Sequence, residues 1–153
     1  MYKAIVFDFS RVLIFPKDKS YKGSMNDLYR AHVKDKNFRL LDWYVLNEEL
    51  LEKLAEIKDN YELFVFTSGA SLHLDPEVLP RLGQVFTNIL NAADVGADKD
   101  TSTAYHLLAD TIGFEPSEML FIDDTMENIA AAKEAGLVTH QYKHNKDLFK
   151  ILN

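Results

Sequence analysis

The sequence predicts an α/β domain: a doubly wound parallel sheet of about five strands with helices on both faces, and a small helical insertion between the first strand and the first long helix. Three observations predict it. Short apolar runs such as Ala4–Phe7 and Leu120–Ile122 have the length and composition of strands buried on both faces, as parallel sheets require. These runs alternate with helical patterns, as successive βαβ units do. The chief runs stop at polar residues (Asp8, Thr67, Asp123), where open parallel sheets bind their ligands.

Residues 3–8 read as the first strand. Residues 11–46 are less regular, punctuated by Pro16 and Gly23 and rich in scattered aromatics. Ser24 is placed to cap a short helix through Leu28 to His32, and a second short helix is expected near 37–45. Residues 48–58 form a strong helix, with Asn47 as N-cap, Glu48 and Glu49 in the first turn, and an apolar stripe of Leu50, Leu51, Leu54 and Ile57. Glu62–Phe66 is the second strand, ending at Thr67-Ser68-Gly69. One or two helices interrupted by Pro76 and Pro80 are expected over 70–82, then a third strand over 85–90 and a loop over 94–99. Thr101–Ile112 reads as a helix with Gly113 just past its end. Residues 118–122 form the fourth strand, stopping at Asp123-Asp124. Thr125–Ala135 is a helix ended by Gly136, with Asp124 and Glu127 spaced as a capping box. Residues 137–141 and 145–152 give a fifth strand and a terminal helix.

A chain of 153 residues, 47% hydrophobic, suits one domain with a sizeable core. No apolar run approaches the roughly 20 residues of a membrane span, and no secretory leader is evident, so a cytoplasmic protein without membrane association is expected. The absence of cysteine excludes disulfides, thiol catalysis and thiolate metal sites. A net charge of −7 disfavours nucleic acid as a partner. Between Lys17 and Arg39, however, seven basic residues face three acidic ones, either a solvated face or a positive rim for an anionic substrate. The five histidines show no metal-binding spacing, and His140 and His144 read as surface residues.

In a doubly wound sheet, Asp8, Thr67, Lys99 and the Asp123-Asp124 pair converge on one crevice. Asp8 is suited to nucleophilic attack on a phosphoryl group, or merely to capping a turn. Asp123 and Asp124 supply hard oxygen donors for Mg²⁺, and adjacent acids near Asp8 call for a cation. Thr67 and Ser68 are placed to hydrogen-bond phosphate oxygens or to form an ordinary turn. Lys99 would neutralise Asp8 and a phosphoryl oxygen, or simply be solvated.

These residues, in this order, resemble the haloacid dehalogenase-like (HAD) superfamily over nearly the full chain. The motifs are Asp8-Phe9-Ser10-Arg11, Thr67-Ser68-Gly69, Lys99 on its loop with Tyr105 following, and Phe121-Ile122-Asp123-Asp124-Thr125 continuing to Gly136. The resemblance implies a Rossmann-like sheet, with Asp8 as nucleophile and metal ligand and the Ser10 carbonyl as a second ligand. It also implies that Thr67 holds the transferring group, Lys99 orients Asp8, and Asp123 and Asp124 hold Mg²⁺. Ser10, Arg11, Ser68 and Gly69 are the expected substrate-binding positions. The family motif has a second acid and a glycine where Ser10 and Arg11 stand, and that acid serves phosphatases as general acid/base. Its loss typically costs about 10²–10⁴ in rate. Only 59 positions separate Asp8 from Thr67, so the cap insertion is small, roughly 15–46. The expected function is a Mg²⁺-dependent hydrolase of phosphatase type, acting through an aspartyl-phosphate on a phosphorylated small molecule or macromolecule. The alternatives are a catalytically impaired binding or regulatory protein and, third, a haloacid dehalogenase.

Overall fold

The computed structural model describes residues 1–69 and 71–152. Five strands form one parallel sheet: β1 (Ala4–Phe7), β4 (Glu62–Thr67), β5 (Asn88–Asn91), β6 (Met119–Asp123) and β7 (Val138–Gln141), in the order β5-β4-β1-β6-β7. Strand β1 is central. It pairs with β4 and β6 in matching register, with Phe7 beside Val65 on one side and Ile122 on the other. One step further, Asp8 therefore lies level with Phe66 and Asp123, and the Asp8 N–H donates to the Ile122 carbonyl at 2.8 Å.

Both faces of the sheet are covered, so the central strands are apolar without alternation. Ile5, Phe7, Leu63, Val65, Leu120 and Ile122 point to one core, packed by α3 (Glu48–Ile57) and the C-terminal α8 (Asn145–Phe149). Val6, Phe64, Phe66, Met119 and Phe121 point to the other, packed by α6 (Ser102–Ile112) and α7 (Met126–Glu134). Helix α3 is capped by Asn47, whose side chain accepts from the Leu50 N–H, and Leu50, Leu51, Leu54 and Ile57 are its buried stripe.

The insertion contains the expected helix α1 (Met25–His32), with the Ser24 hydroxyl accepting from the Asp27 N–H, and a single turn α2 (Leu40–Trp43). Besides these helices it carries a ribbon absent from the sequence reading: β2 (Ile14–Pro16) pairs antiparallel with β3 (Tyr44–Leu46). Each strand has three residues and the partners are far apart in sequence, so neither a long alternating run nor a tight-turn signal marks them. Alternation sends Ile14, Pro16, Tyr44 and Leu46 inward and turns Phe15 and Val45 outward.

Other boundaries move by a few residues. The third strand begins at Asn88 rather than Val85, and the stretch read as a loop from Asp94 starts inside a helical turn, α5 (Ala92–Val95), closed by Gly96 in the left-handed conformation (φ 93°). Pro76 and Pro80 leave a 3₁₀ turn at Ser71–Leu74 and the short α4 (Leu79–Gly83), while Ala70 lies outside the described residues. Helix α7 is entered through Thr125, not Asp124, and no side chain caps it. His140 is half-buried rather than at the surface, and its Nε2 is enclosed without a hydrogen-bond partner.

Candidate active site

The carboxyl ends of β1, β4 and β6 converge as their register requires. Asp8 follows β1, Thr67 ends β4 and Asp123 ends β6. All three are buried, Asp123 completely. Lys99 reaches them from the loop after α5 and is only 4% exposed. Its ammonium donates to Asp8 Oδ1 at 2.6 Å and to the Phe66 carbonyl at 2.9 Å, and pairs with Asp123 Oδ2 at 3.1 Å. The three N–H groups of a lysine are thereby all engaged. The Phe66 and Phe121 rings flank the charge, each centroid 5.6 Å from Nζ. Tyr105 on α6 locks the loop by donating to the Lys99 carbonyl at 2.7 Å, and its own ring packs edge-on against Phe66 and Phe121. Tyr105 is thus a supporting residue rather than one that reaches the crevice.

Asp8, Asp123 and Asp124 each offer an oxygen within 4.8 Å of the others. Three carboxylates against one ammonium leave an excess of negative charge in a low-dielectric pocket. Burial, followed by the neighbouring acids, pushes the Asp8 carboxyl up to about 7 against the opposing pull of Lys99. Burial and Asp123 push Asp124 up to about 6. Burial acts to discharge Lys99, yet the charges of Asp8 and Asp123 outweigh it and hold its pKa above the ordinary lysine value. The donor set suits a hard divalent cation such as Mg²⁺: all oxygen, all carboxylate, with no sulfur or imidazole among the ligands.

The two acids of the pair differ from expectation. Asp123 is the one held by the protein, accepting from the Thr125 N–H at 2.8 Å and from Asn128 Nδ2 at 3.0 Å. Asp124 is the more open of the two, and the Thr125 hydroxyl donates to it at 3.5 Å. The capping box read from Asp124 and Glu127 does not form, because Asp124 belongs to the carboxylate group rather than to the helix end.

A cavity of about 230 Å³ lies over these groups. Asp8, Ser10, Arg11, Thr67, Ser68, Gly69 and Lys99 line it, as the sequence anticipates. Ser24, Met25 and Asn26 from the start of α1, with Thr125 and Asn128, complete its wall. From sequence, Ser24 reads only as a helix cap and Thr125 and Asn128 only as part of the fourth motif, and Met25 and Asn26 have no assigned role, because α1 reaches the sheet only by tertiary packing. Gly69 packs closely on Asn26: a Cβ there would meet its Oδ1 at 3.2 Å. A larger groove of about 960 Å³ between β3 and α8 contains neither Asp8 nor Lys99.

Arg11 stands where the resemblance calls for glycine, and its backbone keeps the left-handed conformation, with φ 62°. The loop demands it: the Arg11 N–H donates to Ile14 O, while Leu13 and Ile14 donate back to Phe9 O. Its guanidinium donates to the Gly23 carbonyl at 2.7 Å. Its charge also acts on Asp124, lowering that carboxyl against the burial that raises it.

Comparison with known proteins places this geometry. A haloacid dehalogenase-like hydrolase family model matches residues 18–136. The chain is 31% identical over 97 residues to enolase-phosphatase E1 of Aquifex aeolicus, covering 60% of this chain and 43% of that protein. It is 33% identical over 104 residues to phosphoglycolate phosphatase of Haemophilus influenzae, covering 64% and 45%. The matches thus span under half the length of these relatives. Among solved structures, a HAD-superfamily hydrolase of Geobacter sulfurreducens superposes with a TM-score of 0.71 at 16% identity, covering 99% of this chain and 97% of that one. A HAD-family enzyme of Bacteroides thetaiotaomicron, crystallised with magnesium and inorganic phosphate, superposes with a TM-score of 0.70 at 13% identity over 94% and 95%. At these identities the structural likeness establishes the shared fold. By its sequence match and its fold, the chain belongs to the haloacid dehalogenase-like hydrolase family.

Proposed function

We propose that this hydrolase is a Mg²⁺-dependent phosphohydrolase that transfers a phosphoryl group to Asp8 and then to water. The observation that carries the reading is the buried Lys99 bridging Asp8 and Asp123, with Asp124 completing a group of three carboxylates at the ends of β1 and β6. An ammonium 2.6 Å from Asp8 Oδ1 holds that carboxylate in one orientation and favours its charged form. Asp8, Asp123 and Asp124 would hold the cation, with the Ser10 carbonyl as a further oxygen donor. The cation would supply charge neutralisation for the phosphoryl oxygens. Thr67, Ser68 and Gly69 would position the phosphoryl group by hydroxyl and backbone N–H donors, and Arg11 would meet charge at the open side. Two of the relatives, enolase-phosphatase E1 and phosphoglycolate phosphatase, support the same reaction class. The substrate is a phosphorylated small molecule or macromolecule.

The expected result is Mg²⁺-dependent release of phosphate from an aryl phosphate, lost in Asp8→Asn. No release across a broad panel of phosphate esters sinks the reading.

One observation favours a second reading, in which the site binds without turning over. Ser10 provides only a hydroxyl at the cavity wall, so the site has Asp8 without an adjacent proton donor. On that reading Mg²⁺ and beryllium fluoride bind, seen by calorimetry, while hydrolysis stays at background and Ser10→Asp raises it. Carbon–halogen cleavage fits less well, because it makes no use of the three clustered carboxylates.

A further inference from the structure

The lining of the cavity limits which esters the site can cleave. Among the described residues lining it, Ser10, Ser24, Thr67, Ser68 and Thr125 offer hydroxyls, and Asn26 and Asn128 offer amides. None of these is an acid near neutral pH. Lys99 has its three N–H groups committed to Asp8, Asp123 and Phe66. Arg11 donates hydrogen bonds but not protons. Asp124 sits in the carboxylate group where a cation would take the place of its proton. Among the described residues lining the phosphoryl cavity, none is placed to protonate a departing oxygen, which favours a leaving group that is stable as an anion.

A second compartment tells which kind of anion. Arg11 lines the phosphoryl cavity and also an adjoining pocket of about 320 Å³. The outward residues of the ribbon, Phe15 and Val45, form part of that pocket with Pro16 and Tyr21, and the oppositely charged Asp18 and Lys19 line it as well. Val45 is 45% exposed despite being apolar. The volume is at the small end of ligand sites and suits a single ring. Arg11 is anchored through one nitrogen to the Gly23 carbonyl, and a guanidinium carries five N–H donors, so it can also face an oxygen at the boundary of the two pockets.

We propose that the substrates are aryl phosphates: the ring occupies the pocket beside Phe15, Tyr21 and Val45, and Arg11 stabilises the departing phenolate. This rests on the phosphohydrolase reading above. An Asp8 oxygen forms a bond to phosphorus, the P–O(aryl) bond breaks, and its electron pair leaves on the phenolate oxygen, which takes a proton from water. Water then attacks the phosphorus of the acyl phosphate. The bond to Asp8 breaks, the carboxylate is regenerated, and orthophosphate departs with the proton balance passed to solvent.

The test measures kcat/KM with Mg²⁺ for a series of substituted phenyl phosphates and for alkyl phosphates such as phosphoglycolate. The expected result is at least a hundredfold preference for aryl esters, the scale of general-acid assistance that alkyl esters would need, with rates rising steeply as the phenol becomes more acidic. Arg11→Gln should lower the aryl rate about tenfold or more and steepen that dependence, which a merely structural residue would not do. Val45→Asp, at an exposed position, should lower the aryl rate by raising KM. A phosphotyrosine-containing peptide run beside phenyl phosphate distinguishes a polypeptide source of the ring from a small-molecule one. Equal turnover of alkyl and aryl esters overturns the inference and leaves the phosphohydrolase intact. Binding of beryllium fluoride with Mg²⁺ but no turnover of either ester overturns it in favour of the binding-only reading. Neither binding nor turnover overturns both.

Discussion

At the scale of single residues, the site is a balance of buried charges around Lys99. Removing that ammonium leaves the buried carboxylates of Asp8 and Asp123 without the cation that pairs them, and breaking a buried pair in this way costs about 3–5 kcal/mol. Lys99→Met is therefore expected to lose phosphatase activity and to lower the urea midpoint, with added Mg²⁺ recovering part of the stability because the cation replaces the missing charge. A variant as stable as the parent without metal would contradict this balance. Arg11 is the second instructive residue. A non-glycine side chain in the left-handed region is strained by roughly 1–2 kcal/mol. Arg11→Gly and Arg11→Ala both lose the bond to the Gly23 carbonyl, but only glycine relieves the strain, so Gly should exceed Ala by about 1 kcal/mol in urea unfolding. Equal stabilities would mean that the loop relaxes to another conformation. The position of Asp8, Thr67, Lys99, Asp123 and Asp124 in one crevice was legible in the sequence, because each falls at a strand end or on the following loop. The division of labour between Asp123 and Asp124 was not, since it depends on which carboxylate the register turns toward Lys99 and Asn128.

At the scale of elements, Asn47 joins the helix behind the site to the loop in front of it. Its side chain caps α3, donates to the Val12 carbonyl at 2.9 Å, and exchanges amide hydrogen bonds with Asn145 of α8. Asn47→Ala should cost about 1–2 kcal/mol through the lost cap and the exposed partners. It should also raise hydrogen-exchange rates in residues 9–14, the loop that carries Ser10 and Arg11. Unchanged exchange there would show that the loop is held by its own backbone bonds to Phe9. The five sheet strands and the long helices α3, α6 and α7 could be read from apolar runs and capping residues because their signals are local. The β2–β3 ribbon could not. Its two three-residue strands meet only through tertiary packing, and it is this ribbon that turns Phe15 and Val45 toward Arg11.

For the whole molecule, three of the 24 acidic residues are gathered at the strand ends, and their titration couples the fold to a cation. Burial raises Asp8 to about 7 and Asp124 to about 6, so the cation-free fold favours their protonated forms. The stability lent by that protonation is present below the ordinary carboxyl range and lost as pH rises through about 6–7. A divalent cation takes the place of the protons. Mg²⁺ should therefore raise the unfolding temperature near about pH 8, and the increment should fade as pH drops through about 7 to 6. An increment independent of pH would mean that the cation binds elsewhere. The basic stretch from Lys17 to Arg39 is partly spent internally: Arg30 pairs with Asp27 and Arg39 with Glu77, while Lys17 donates to the Leu41 carbonyl. Its count of charges alone thus overstates the positive rim, and Lys19 is the lysine of this stretch that lines the pocket beside Arg11, next to Asp18.

The central claim is that Asp8 is the group to which the phosphoryl moiety is transferred, beside a cation held by Asp123 and Asp124. The measurement that tests it most directly is a crystal structure of the protein with Mg²⁺ and beryllium fluoride. The account predicts a tetrahedral beryllium fluoride bonded to an Asp8 oxygen, within reach of Thr67 and Lys99, and a metal ion ligated by Asp8 and the Asp123-Asp124 pair. Beryllium fluoride absent from Asp8, with the metal bound at some other cluster, would contradict it.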